Sequence, residues 1–218
     1  MKPDFKVLKE KQRANRHKYP EGFGIRVHRA LSWLNCSEHA PDEDSKFIFL
    51  WIGFNAAYAQ ELDNDYRLSE KASFTAFIKK LLDLDQNNYI YDLIWKNYSG
   101  PIRAILNNPY VSYTFWQMQA GIIDKDIFEF SFQKDKEKAN RALSNNDSIG
   151  VISILFENIY TLRNQIFHGG ATWMGKINRP QIHDATKIME IFLPAMIEIM
   201  LENPGSLWGD AIYPVIDL

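Results

Sequence analysis

Residues 148–168 read SIGVISILFENIYTLRNQIFH and run directly into Gly169-Gly170. The dominant period of this stretch is helical, which predicts one long helix starting at Ser148. Two glycines after the last periodic residue are a helix stop. A second long helix is expected over 179–202 (RPQIHDATKIMEIFLPAMIEIMLE), where Pro180 suits the first turn. Its buried face is the stripe Ile182, Ala185, Met189, Phe192, Met196 and Ile199, and Pro194 in its interior is expected to kink it.

Working outward, residues 46–62 (KFIFLWIGFNAAYAQEL) are apolar nearly all round, which places that helix in the middle of the fold. Ser45 is its candidate N-cap. A shorter helix is expected over 25–36, facing inward through Ile25, Val27, Leu31 and Leu34. Another is expected over 69–83, with Ser69 as candidate cap, and smaller pieces over 88–97 and 101–118, broken at Gly100-Pro101 and Asn108-Pro109. Ile127 to Phe132 alternates as a strand does, but its continuation KDKEKANRAL has helical character, so the whole segment reads as helix. The tail from Asn203 to Leu218 is too apolar to float freely and is expected to pack on the bundle or on a partner chain. The sum is an all-α bundle with a core of 25–36, 46–62, 148–168 and 179–202, interrupted by smaller helices over 64–147.

The chain has 218 residues, 46 % hydrophobic and 24 % charged, which suits one globular domain and excludes a disordered or low-complexity chain. Its net charge of −2 is not that of a general nucleic-acid binder. The charge is uneven, however. Residues 1–30 hold nine Lys or Arg against three acids, and the remaining 188 hold 16 basic and 24 acidic residues. Such a basic arm can contact phosphates or an acidic surface, although a solvated, frayed terminus is the plainer reading. Cys36 is the sole cysteine, so no intrachain disulfide forms, and a lone thiol fits a reducing cytoplasm. No apolar leader and no run long enough to span a bilayer is visible, so no membrane partner is expected.

The sharpest chemical feature is the end of the first stretch: Arg163, then Asn164, then His168 four residues on, before Gly169-Gly170. Asn164 and His168 share a helix face, and Arg163 sits beside it. At a helix C-terminus the dipole favours the imidazolium, which suits proton transfer at physiological pH. Arginine is a permanent planar cation that holds a phosphate at two points. In a chain of this composition the pattern arises by chance roughly 0.05 times. The plain alternative is that Arg163 pairs with an acid such as Glu157 and His168 merely caps a helix.

The segment Leu162 to Gly170 resembles the signature of the HEPN superfamily, the higher eukaryotes and prokaryotes nucleotide-binding domains. The resemblance covers 148–202 and extends to 25–62; 64–147 reads as an insertion in a single domain of 1–218. It implies an antiparallel up-and-down helical bundle and a metal-independent endoribonuclease of toxin, abortive-infection or antiviral systems. Arg163, Asn164 and His168 would then be its active-site residues, in a homodimer with two motifs at one cleft. It implies RNA or a nucleotide as ligand, no cofactor, and a separate antitoxin protein as a further partner. The alternative is a non-catalytic module of the same type that binds a nucleotide, RNA or a protein.

Chemically, metal-free RNA cleavage needs a base, an acid and a cation for the phosphorane, and two chains together supply two His168 and two Arg163. The amides of Gly169 and Gly170 are candidate phosphate contacts. Arg179, His183 and Lys187 fall on one helix face and are candidate backbone contacts, or else a solvated face. Asn55 in the apolar helix is either a structural hydrogen-bonding group or a site group facing His168. His39 among Glu38, Asp42, Glu43 and Asp44 matches no calcium-loop spacing and reads as a solvated loop.

Overall fold

A computed structural model describes residues 3–58, 70–176, 178–206 and 208–209. Among them every regular element is helical, as the periodicity predicts. The elements are α1 (Phe5–Asn15), α2 (Glu21–Glu38), α3 (Glu43–Tyr58), α4 (Glu70–Leu84), α5 (Tyr89–Asp92), α6 (Ser99–Leu106), α7 (Tyr113–Gln119), α8 (Lys125–Ser144), α9 (Ser148–Phe167) and α10 (Arg179–Glu202). Short 3-10 turns follow α1 and precede α7, at Arg16–Lys18 and Pro109–Val111. The chain divides into two compact units, Met1–Ile90 with Met189–Leu218, and Tyr91–Ile188. None of the described helices is long and apolar enough to cross a membrane.

In the first unit α2 and α3 pack along each other, and the second half of α10 joins them. The predicted α10 stripe is fully buried from Ile182 to Ile199. Gly53 permits the closest approach. A Cβ there would lie 2.8 Å from Leu193 Cδ2 and 3.3 Å from the Trp33 Cβ, so a larger residue would displace the buried Leu193 side chain and crowd Trp33. Phe54 fills the space beside it, 6.2 Å from Phe192. Arg26 is buried at 1 % exposure, an unexpected charge in α2. Its guanidinium donates to the carbonyls of Ala57, Trp208 and Gly209. The described part of the tail therefore packs back on its own unit. Trp208 is buried against Phe77 and donates its indole N–H to Asn203 O at 2.8 Å.

Several boundaries differ from expectation for identifiable reasons. From Asp4 onward the basic stretch is not a frayed arm: Asp4 accepts the Val7 N–H at 2.9 Å and caps α1, which packs on α2 through buried Leu8 and Gln12. Helix α2 begins at Glu21, four residues before the predicted start. Asp42, not Ser45, caps α3, because its carboxylate takes both the Ser45 N–H and the Ser45 hydroxyl. The break expected at Gly100-Pro101 falls at Tyr98, two residues earlier, and the pair itself sits in the first turn of α6, where a missing N–H costs nothing. Asn108-Pro109 does break it, with Asn108 accepting the Tyr110 N–H. Ser69 and residues 59–62 lie outside the described residues.

In the second unit, α9 lies with α6, α7 and α8, whereas the spacing groups 148–168 with 25–36 and 46–62. The ambiguous 127–132 segment is helical. Phe128 and Phe132, four apart, stack at 5.5 Å, and Phe128 meets Phe115 of α7. Phe130 points outward. Asp147 caps α9 by accepting the Gly150 N–H.

Arg26→Ala is expected to lower the unfolding free energy by about 3 kcal/mol, since three carbonyls lose a buried donor. Arg26→Lys, with no planar fork, should recover less than half. Urea unfolding followed by circular dichroism measures both.

Candidate functional site

Helix α9 ends at Phe167, and His168 is its C-cap, with its N–H bonded to Asn164 O at 3.0 Å. Gly169 follows at φ +73°, a conformation that favours glycine, and its N–H is taken by Ile166 O. That amide is therefore committed to finishing the helix rather than to an anion. The Gly170 N–H makes no hydrogen bond among the described residues.

Arg163 is set by helix spacing. Tyr160 stands three residues before it and Phe167 four after, so all three share a face. Its guanidinium carbon lies 4.2 Å from the Phe167 ring centroid and 5.9 Å from that of Tyr160. Nη1 donates to Asn164 Oδ1 at 2.9 Å. Among the described residues no carboxylate pairs with Arg163, so it does not take the Glu157 partner that the plain alternative supplies. Asn164 is linked to both neighbours, to Arg163 through its side chain and to His168 through its backbone. His168 is exposed, and neither ring nitrogen has a hydrogen-bond partner among the described residues.

Exposed aromatic residues flank the motif on α9 and follow it in the loop. Tyr160 is 43 %, Phe167 41 % and Trp173 72 % exposed, and Met174 is exposed beside Trp173. One side chain unremarked in the sequence holds this end of the unit together. Gln165 donates to Tyr110 O at 2.9 Å and accepts from Asn178 Nδ2 at 2.5 Å. Tyr110 O also accepts from Trp116 Nε1 at 2.8 Å. Asn178, buried at φ +63°, thus ties the start of α10 to the end of α9. Asparagine tolerates that conformation, which is the one sequence signal that was available.

Of the remaining candidates, Arg179 is half-buried while His183 and Lys187 are exposed along the first turns of α10, in the same unit as the motif. Asn55 belongs to the first unit, half-buried on α3. A cleft lined by Leu106, Asn108, Phe132, Ile154, Glu157 and Asn158 opens between α6, α8 and α9, and none of the motif residues lines it. Among the described residues no three His, Cys, Asp or Glu side chains converge as a metal site. No family model, curated protein or solved structure matches this chain.

Gln165→Ala should cost about 1 kcal/mol in urea unfolding, because the buried Asn178 loses its side-chain acceptor, while the Tyr110 carbonyl keeps Trp116. Amide hydrogen exchange over 168–178 should accelerate with it.

Proposed function

We propose that this chain is a metal-independent endoribonuclease of HEPN type, working as a homodimer. The observation that carries the reading is Arg163: a guanidinium without a carboxylate partner, steadied by two rings and Asn164, on the same helix end as an unencumbered histidine. Such a cation serves a phosphate.

In this reading one His168 removes the proton from an RNA 2′-hydroxyl, and the 2′-oxygen attacks the adjacent phosphorus. The bond from phosphorus to the 5′-oxygen breaks, and the partner subunit's His168 delivers a proton to that leaving oxygen. The products are a 2′,3′-cyclic phosphate and a free 5′-hydroxyl. Arg163 stabilises the charge of the crowded phosphorane, and Asn164 fixes Arg163. The flat exposed faces of Tyr160, Phe167 and Trp173 suit stacking of unpaired bases. Acting in the cytoplasm as a toxin or antiviral effector, such an enzyme calls for a separate antitoxin protein.

One observation favours a non-catalytic binding module instead. The Asn164 side-chain oxygen goes to Arg163, so it does not fix the orientation of the His168 ring. Purified protein incubated with mixed RNA in EDTA and resolved on a gel separates the two. Under the nuclease reading, His168→Ala and Arg163→Ala each reduce cleavage by about 10²–10⁴-fold. Binding without cleavage by the wild type selects the binding module. Wild type that neither binds nor cleaves RNA overturns both, and cleavage undiminished in the variants overturns the site.

A further inference from the structure

The basic N-terminal stretch folds as α1, and its charges are sorted by face. Lys11 is neutralised by Glu198 at 2.5 Å and Glu202 at 3.2 Å. Lys6, Lys9 and Arg13 recur at three- and four-residue steps on another face, and Arg16, the helical C-cap of α1 that opens the following 3-10 turn, continues the stripe. Lys6, Arg13 and Arg16 are exposed, and Lys9 is half-buried. Among the described residues none of the four has a carboxylate within ion-pair distance. Of the acids nearby, Asp4 caps the helix, Glu38 accepts the Phe5 N–H at 2.8 Å, and Glu10, at the edge of the stripe, is exposed and makes no ion pair among the described residues.

Lys9 is held in place. Its ammonium donates to Gln12 Oε1 at 2.6 Å and meets His28 Nδ1 at 3.1 Å. Gln12 is only 6 % exposed, which makes it a fixed anchor. Burial and the Lys9 charge both push the His28 ring below its ordinary value, so the neutral ring accepts this hydrogen bond. Burial lowers Lys9 as well, and the charges of Arg13 and Arg16 lower it further. The cations are therefore close enough to repel one another, a cost that a bound anion removes.

We propose that the Lys6–Lys9–Arg13–Arg16 stripe along α1 and its C-cap binds the phosphates of single-stranded RNA. From Lys6 to Arg16 the stripe runs about 15 Å along the helix, more than a single phosphate covers. Two planar guanidinium forks and two point charges suit repeated phosphates. A membrane surface fits less well. The apolar side of α1 is spent on α2 through Leu8, which leaves no apolar face to enter lipid. The site goes beyond the nuclease reading and does not require it, since it is read by binding alone.

The test uses the full chain carrying His168→Ala, so that probe RNA stays intact, with and without Lys6→Gln, Arg13→Gln and Arg16→Gln together. Lys9 is left in place because it is hydrogen-bonded within the fold. Fluorescence anisotropy with a labelled oligouridine is expected to show at least tenfold weaker binding by the triple variant at about 0.1 M salt. The slope of log affinity against log salt should fall in magnitude by about 2, the share of three phosphate contacts to a single strand. Arg13→Lys with Arg16→Lys should keep the slope. Unchanged affinity and slope in a triple variant with an unaltered melting curve overturns the proposal. Displacement of the oligouridine by inorganic phosphate at equal phosphate concentration overturns it in favour of a single-phosphate site. Loss of binding to anionic phosphatidylserine vesicles, with RNA binding unchanged, overturns it in favour of a membrane.

Discussion

A helix that stops inside a fold leaves carbonyls that water cannot reach, and each needs a donor. In this chain the donors come from far away in sequence. Ala57 lies in the last turn of α3, and its carbonyl is met by Arg26, 31 residues earlier. The same guanidinium gathers Trp208 and Gly209, so the end of one helix and the chain beyond another are closed by one side chain. In the second unit Gln165 links two segments instead, donating to the exposed Tyr110 carbonyl that Trp116 also meets and accepting from buried Asn178.

The apolar pattern was legible wherever burial is strong and continuous. The α10 stripe and the limits of α9 follow from spacing alone, because most positions there face other helices. Helix α1 was missed because its burial rests on Leu8 and Gln12, too little for a periodic signal, and its lysines read as a solvated arm. Ser45 and Asp42 compete for one capping role, and only the backbone decides which side chain reaches the free amide. The phenylalanines of 127–132 alternate in sequence, yet a helix pairs the first and third and leaves the middle one outside.

Within the site, the proximity of Arg163, Asn164 and His168 was readable because a helix fixes it. So was the placement of two rings around Arg163, had the three- and four-residue steps been followed outward from the motif. Gln165 carried no signal. Its partners stand 55 and 13 residues away, and hydrogen bonds of that span depend on tertiary packing. The overall charge was informative only after being resolved by face. One side of α1 is neutralised by α10, and the other is left positive, a distinction invisible in a net count.

Gly53 gives the first unit a form of inheritance. With no side chain there, the spacing between α3 and its neighbours is set by the bulk of Leu193 and the flank of Trp33. A larger residue at 53 is best accommodated where 193 has shrunk, and a smaller residue at 193 leaves space beside 53. Among descendants of this chain the two positions should therefore drift as a pair, even though they stand 140 positions apart in the sequence.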